Sequence, residues 1–263
     1  MMARRPIMLA HIGSSQIKRT RWFAAQEYEQ AFWQRRATSI EDGTAGQLDW
    51  YDWKACRLEE HLASVPIPRS KASRVLEIGS GPIGIVNSLE WGERYAIDPL
   101  EQFYRQRPSL IRLRKPGATY LPGAGERLPL RRASFSLVII DNVIDHTFAP
   151  AEIVREISRI LETRGCLYLT VNVHTVWGAI LHKVLAALHI DKGHPYTFTS
   201  WTLRRFLARH GFKILREETE DYRLVKRTNR RSPSLRERIK GYTGLSEFQH
   251  TVVCCQSAPV SKT

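Results

Sequence analysis

The run Val75-Leu-Glu-Ile-Gly-Ser-Gly-Pro-Ile-Gly84 sets three glycines directly behind a short apolar segment. This pattern reads as a buried strand, a glycine turn and the start of a helix. A ligand can then approach the backbone where the strand ends, because no β-carbon blocks it. The GxGxxG match of GSGPIG is weak by itself, since dinucleotide binders share it. Glu77 separates the two readings. A carboxylate two residues ahead of Gly79 repels a pyrophosphate but favours the charged amino group of a methionine moiety, so charge logic prefers S-adenosylmethionine to a nicotinamide dinucleotide. Asp98 closes the next strand-like run, RYAID, where a carboxylate accepts hydrogen bonds from both ribose hydroxyls of either cofactor.

The elements that must position these residues can be read from the spacing of apolar runs. From Arg74 onward, RVLEIGS, RYAIDP, ATYLPG, SFSLVII and CLYLTVNV alternate with turns and amphipathic stretches expected to be helices. That alternation implies βαβ crossovers and a mostly parallel sheet covered on both faces. Between Ala151 and Thr163, Ile153, Val154, Ile157, Ile160 and Leu161 recur at helical spacing and Gly165 comes next as a stop, so a helix is expected over that stretch. A further helix is expected over Thr202–His210, then strands at FKIL and HTVVCC. Residues 1–70 read as a helical cap rich in Trp, Phe and Tyr, ended by Ser64-Val-Pro-Ile-Pro-Arg-Ser70. Residues 71–263 read as the catalytic domain, with a helical insertion at 176–196 and a basic loop at 219–248.

Five motifs in order resemble the class I methyltransferases, and within them the type 11 group. They are VLEIGSG at 75–81, AIDP at 96–99, GERLPL at 125–130, SFSLVIIDNVIDH at 134–146 and ISRILETRGCLYLTV at 157–171. The resemblance implies a Rossmann-like seven-stranded α/β sheet whose last strand is inserted antiparallel, with helices on both faces and the N-terminal helical extension added. It also implies a cofactor, S-adenosyl-L-methionine, lying across the carboxyl ends of the strands. On that reading Glu77 orients the amino group, and Gly79, Ser80 and Gly81 lie along the methionine portion, with Gly84 completing the turn. Asp98 with Pro99 holds the ribose, Gly125 and Glu126 border the adenine, and Asp141, Asn142 and Val143 close the methionine side. One departure is Ala124, where many relatives carry an acid.

A sulfonium-bound methyl group is already activated, so the protein mainly has to align an acceptor and exclude water. His146 is the candidate general base where the acceptor must lose a proton, because it comes just after the fourth-strand motif and imidazole is the side chain whose ordinary range lies near neutral pH. His174, His194 and Tyr196 are second-rank candidates for acceptor contacts. No metal is assigned, because oxygen ligands such as Asp141, Asp145 and Asn172 occur together by chance.

Composition bounds the remaining choices. A chain of 263 residues with 43% hydrophobic residues can bury a sizeable core, which excludes disorder throughout. The apolar stretch Val176–Ile190 is interrupted by His182 and Lys183 and is too short to span a bilayer, and no secretory leader is legible, so the expectation is a cytoplasmic protein. Four cysteines show no zinc or disulfide spacing. The net charge of +14 attracts anions, and residues 223–240 supply half of it, with eight Lys or Arg against Glu237 alone. A small-molecule, anionic, or lipid- or sugar-linked acceptor is favoured. RNA methylation is the enzymatic alternative, a non-catalytic S-adenosylmethionine-binding scaffold the alternative from another class, and a nicotinamide oxidoreductase comes third. Oligomeric state is not legible.

Overall fold

The computed structural model describes residues 8–44, 48–187 and 196–257. Seven strands form one sheet: β1 (Arg74–Ile78), β2 (Glu93–Asp98), β3 (Ala118–Pro122), β4 (Phe135–Asp141), β5 (Leu161–Val173), β6 (Phe212–Thr219) and β7 (Phe248–Gln256). Their order is β3-β2-β1-β4-β5-β7-β6. Pairing is parallel from β3 through β5, whereas β7 runs antiparallel to both β5 and β6. This is the mostly parallel sheet, with its last strand reversed, that the motif order implies.

Alternation along the strands sends neighbouring residues to opposite cores. On one face Val75, Ala96, Leu137, Ile139 and Tyr168 pack under helices that precede the sheet in the chain, α1 (Met8–Glu41) and α2 (Trp50–Leu62). On the other, Leu76, Ile97, Val138, Ile140 and Leu169 meet α5 (Pro150–Ile160) and α7 (Ser200–Arg209). Both faces are therefore dry, as a parallel sheet requires. The short helices α3 (Glu101–Arg105) and α4 (Pro108–Ile111) connect β2 to β3, and α6 (Val176–Ala187) comes after β5.

The structure corrects three expectations. The connection from β1 to β2 holds only a single 3-10 turn, Ile85–Ser88, instead of a full helix. Gly84, at φ 79°, leads into that turn, and the Glu77 carboxylate accepts the Val86 N–H at 2.9 Å, a bond that holds it. The area left uncovered is filled by α2, whose Ala55, Leu58 and Leu62 join the core beneath β1. Second, α5 ends at Ile160, and Leu161 to Arg164 belong to β5, because the parallel ladder reaches back to pair Leu161 with Phe135. Third, the expected basic loop at 219–248 is largely a helical hairpin, α8 (Tyr222–Arg231) and α9 (Leu235–Thr243). Asp221 and Ser234 cap the two N-termini, and Gly244 in the left-handed region ends α9, so local capping chemistry was present under the charge. In the insertion expected at 176–196, helix covers Val176–Ala187. Residues 188–195 lie outside those described.

Candidate active site

The carboxyl ends of β1, β2 and β4 converge on a cavity of about 300 Å³. Gly79 starts its floor. Its N–H donates to the Ile97 carbonyl at 2.7 Å, its φ is 72°, and a β-carbon there would overlap the Val143 side chain. Gly81 donates its N–H to Asp98 Oδ2 at 2.9 Å while Leu100 N–H reaches Asp98 Oδ1 at 2.8 Å. Each carboxylate oxygen has a second lone pair, so Asp98 can brace the loop and still accept two hydroxyls.

The lining is acidic. Glu29, Glu77, Asp98 and Asp141 all contribute, and Lys54 is the single Lys or Arg among the described lining residues. Burial pushes the Glu77 carboxyl up to about 8 and the Asp98 carboxyl up to about 6, against the backbone N–H bonds that favour their charged forms. Lys54 pairs with Asp141, whose other oxygen accepts the Thr170 hydroxyl at 2.5 Å. Two further acceptors, Gln26 Oε1 and Asn142 Oδ1, are buried in this lining without a hydrogen-bond partner.

These groups restrict which cofactor can fit. A suitable ligand must bring positive charge and hydrogen-bond donors, and leave one carboxylate for Lys54. S-adenosylmethionine has that character, with a sulfonium, an ammonium, ribose hydroxyls and a carboxylate, whereas a pyrophosphate would face four carboxyl groups. The residues present fit the former.

Several expected site residues come together here. Glu77, Gly79, Ser80, Gly81, Asp98, Pro99, Asp141, Asn142, Val143 and His146 all line the cavity. Gly125 and Glu126 line a smaller adjoining pocket of about 50 Å³ with Ala124 and Trp22, into which Pro99, Val143 and His146 also face. Burial raises the Glu126 carboxyl, which accepts the Phe148 N–H. Gly84 is not a lining residue; a β-carbon on it would lie 2.5 Å from Glu77 Oε2, so it makes room for that carboxylate.

Two acceptor candidates are elsewhere. His174 is buried with its ring 4.9 Å from that of His182 and its Nε2 3.8 Å from Glu247 Oε1, because the chain turns away from the cavity after Val173. Tyr196 donates its hydroxyl to the Phe148 carbonyl at 2.8 Å, and it too is absent from both linings. His194 lies outside the described residues.

Sequence reasoning missed Gln26 and Glu29 on α1 and Lys54 on α2. For Lys54 a signal existed. Tyr51, Lys54, Ala55, Leu58 and Leu62 recur at helical spacing, which puts the lysine at the edge of the buried face. Tyr51 reaches Ser80, its hydroxyl donating to the carbonyl at 3.3 Å, so α2 touches the glycine loop itself.

The sheet order, with the acid-lined cavity at its carboxyl edge, is that of the class I methyltransferase fold. Residues 76–169, from β1 into β5, match the family described as "Methyltransferase domain", and the chain carries that domain. No curated protein matches the sequence. The geranyl diphosphate C-methyltransferase of Streptomyces coelicolor A3(2), in complex with S-adenosyl-L-homocysteine, is similar in structure at 12% identity, a TM-score of 0.56, and coverage of 77% of this chain and 78% of that one. The phosphoethanolamine N-methyltransferase 2 of Haemonchus contortus is similar at 12% identity and a TM-score of 0.54, over 84% of this chain and 58% of the other. The [4+2]-cyclase SpnF is similar at 14% identity and a TM-score of 0.59, over 89% and 95%. At these identities the likeness speaks for the fold alone.

Proposed function

We propose that this methyltransferase acts on a small-molecule or lipid- or sugar-linked acceptor, by direct displacement at the sulfonium methyl. The observation that carries this reading is the aromatic-walled cavity. Ala25, Phe32, Trp33 and Trp50 from the N-terminal helices form a wall of the cavity, with Trp33 and Tyr51 against Gly81, which suits an acceptor that enters the cavity better than one that lies along an open groove. The geranyl diphosphate and phosphoethanolamine enzymes, named for small acceptors, are in keeping with this.

Bound there, S-adenosylmethionine supplies the activated methyl group. In our reading Asp98 accepts the ribose hydroxyls, and Lys54 exchanges its Asp141 partner for the cofactor carboxylate. Asp141 and the unpartnered Asn142 Oδ1 then receive the ammonium, and that positive charge favours ionisation of the Glu77 carboxyl, which burial otherwise keeps protonated up to about pH 8. Gly125 and Glu126 border the adenine, with Trp22 beside them. The aromatic wall excludes water, which strengthens each of these charge interactions.

His146 is the proposed base. It faces both pockets, is partly exposed, and has Nε2 3.8 Å from Asp145 Oδ2, a carboxylate that can stabilise the imidazolium after proton transfer. Replacing it, His146→Ala, should lower turnover by roughly a hundredfold while S-adenosylhomocysteine affinity stays at the wild-type value. Unchanged turnover would make His146 a structural residue.

A further inference from the structure

β5 and β6 run in the same direction, since each pairs antiparallel with β7, and β5 is parallel to β4. Helix α6, which succeeds β5, and the α8–α9 hairpin, which succeeds β6, therefore leave from the same edge of the sheet that holds the cavity. These helices carry an unusual surface. On α6, Val176, Trp177, Ile180 and Val184 are each more than half exposed. On α9, Leu235, Ile239 and Tyr242 share a helical stripe and are each at least half exposed.

The two stripes are joined. Trp177 Nε1 donates to the Thr243 carbonyl at 3.1 Å, and Gly178 packs so tightly on Gly244 that a β-carbon would come within 2.8 Å of its carbonyl oxygen. Around them positive charge predominates, since Glu237 of α9 and Glu247 after it both pair with Lys240. Arg223, Arg227 and Arg231 stand on the outer side of α8 with exposed Leu224, and α8 contains no acidic residue. Arg236 and Arg238 flank the α9 stripe.

Contiguous exposed apolar side chains mark a docking surface, and the chemistry here selects its occupant. Arginines with Trp and Tyr suit any polyanion, but Val, Ile and Leu gain nothing from nucleic acid phosphates. They gain from hydrocarbon. Aliphatic and aromatic side chains bordered by arginines match the headgroup boundary of an anionic bilayer, where apolar groups enter and guanidinium groups pair with lipid phosphates. We propose that α6 and the α8–α9 hairpin dock this protein on an anionic lipid membrane, with the cavity edge of the sheet toward the lipid. The docking does not depend on which acceptor is methylated.

The test is co-sedimentation of the full chain with vesicles of phosphatidylcholine alone and with vesicles containing about a quarter phosphatidylglycerol. Binding to the anionic vesicles should be stronger by about tenfold or more, and should fall with salt. Arg223→Gln with Arg227→Gln and Arg231→Gln should remove that preference. Ile180→Ser with Ile239→Ser should weaken binding severalfold with the charge intact. S-adenosylhomocysteine affinity, measured on each variant, should match wild type and so report a folded domain independently of the membrane. No affinity for anionic vesicles at low salt would overturn the proposal. So would full binding by the Ile180→Ser, Ile239→Ser variant, or binding of an RNA oligonucleotide in preference to the vesicles.

Discussion

Glu77 and Asp98 are held by backbone N–H groups yet buried enough to keep their protons above the usual carboxylate range, Glu77 to about 8 and Asp98 to about 6. The folded state then binds more protons than the unfolded chain between the ordinary pKa and the raised one, so these groups make stability fall as pH rises through that window. Removing the titratable Glu77 carboxyl should abolish its share. The melting temperature of ligand-free Glu77→Gln should gain on wild type as pH rises from about 5 to 8.5, the window set by a shift from 4.5 to about 8. A difference that is flat with pH, measured by differential scanning fluorimetry, would mean that Glu77 is charged throughout. Most cavity residues were legible because strand ends and glycines fix where a backbone turns. His174 was not, since nothing in CLYLTVNVH states which way the chain departs after Val173, and the ring ended against His182 and Glu247.

At the level of elements, strands announced themselves through apolar runs, whereas two helices were obscured. The basic composition of residues 223–231 masked α8, although Asp221 caps its first turn. The glycine turn after β1 implied a helix that the short span before Glu93 has no room to complete, and α2 supplies the cover from elsewhere in the chain. No local pattern reports such a substitution, because it depends on packing between segments distant in sequence. It makes α2 part of the core. Leu58, fully buried on that helix, should cost about 2–5 kcal/mol of unfolding free energy when replaced in Leu58→Ala, the range for a large-to-small change in a packed interior. Denaturant unfolding reads the loss; a cost under about 1 kcal/mol would show α2 to be a loosely attached cap.

Across the whole molecule, a net charge of +14 surrounds a cavity lined by four carboxyl groups. Basic groups on the exterior attract anions, while the interior selects a cation with donors to match. Among the described residues no helix is long and apolar enough to cross a membrane. The central claim is that the acid-lined cavity is the seat of S-adenosylmethionine, and titration calorimetry of wild type and Asp98→Ala with S-adenosylhomocysteine and with NAD tests it most directly. S-adenosylhomocysteine should bind wild type and NAD should not. Asp98→Ala should lose about 1.5–3 kcal/mol of that binding, the scale of hydrogen bonds to a charged group. Tight NAD binding with no heat from S-adenosylhomocysteine, or an unchanged affinity in folded Asp98→Ala, would contradict the account.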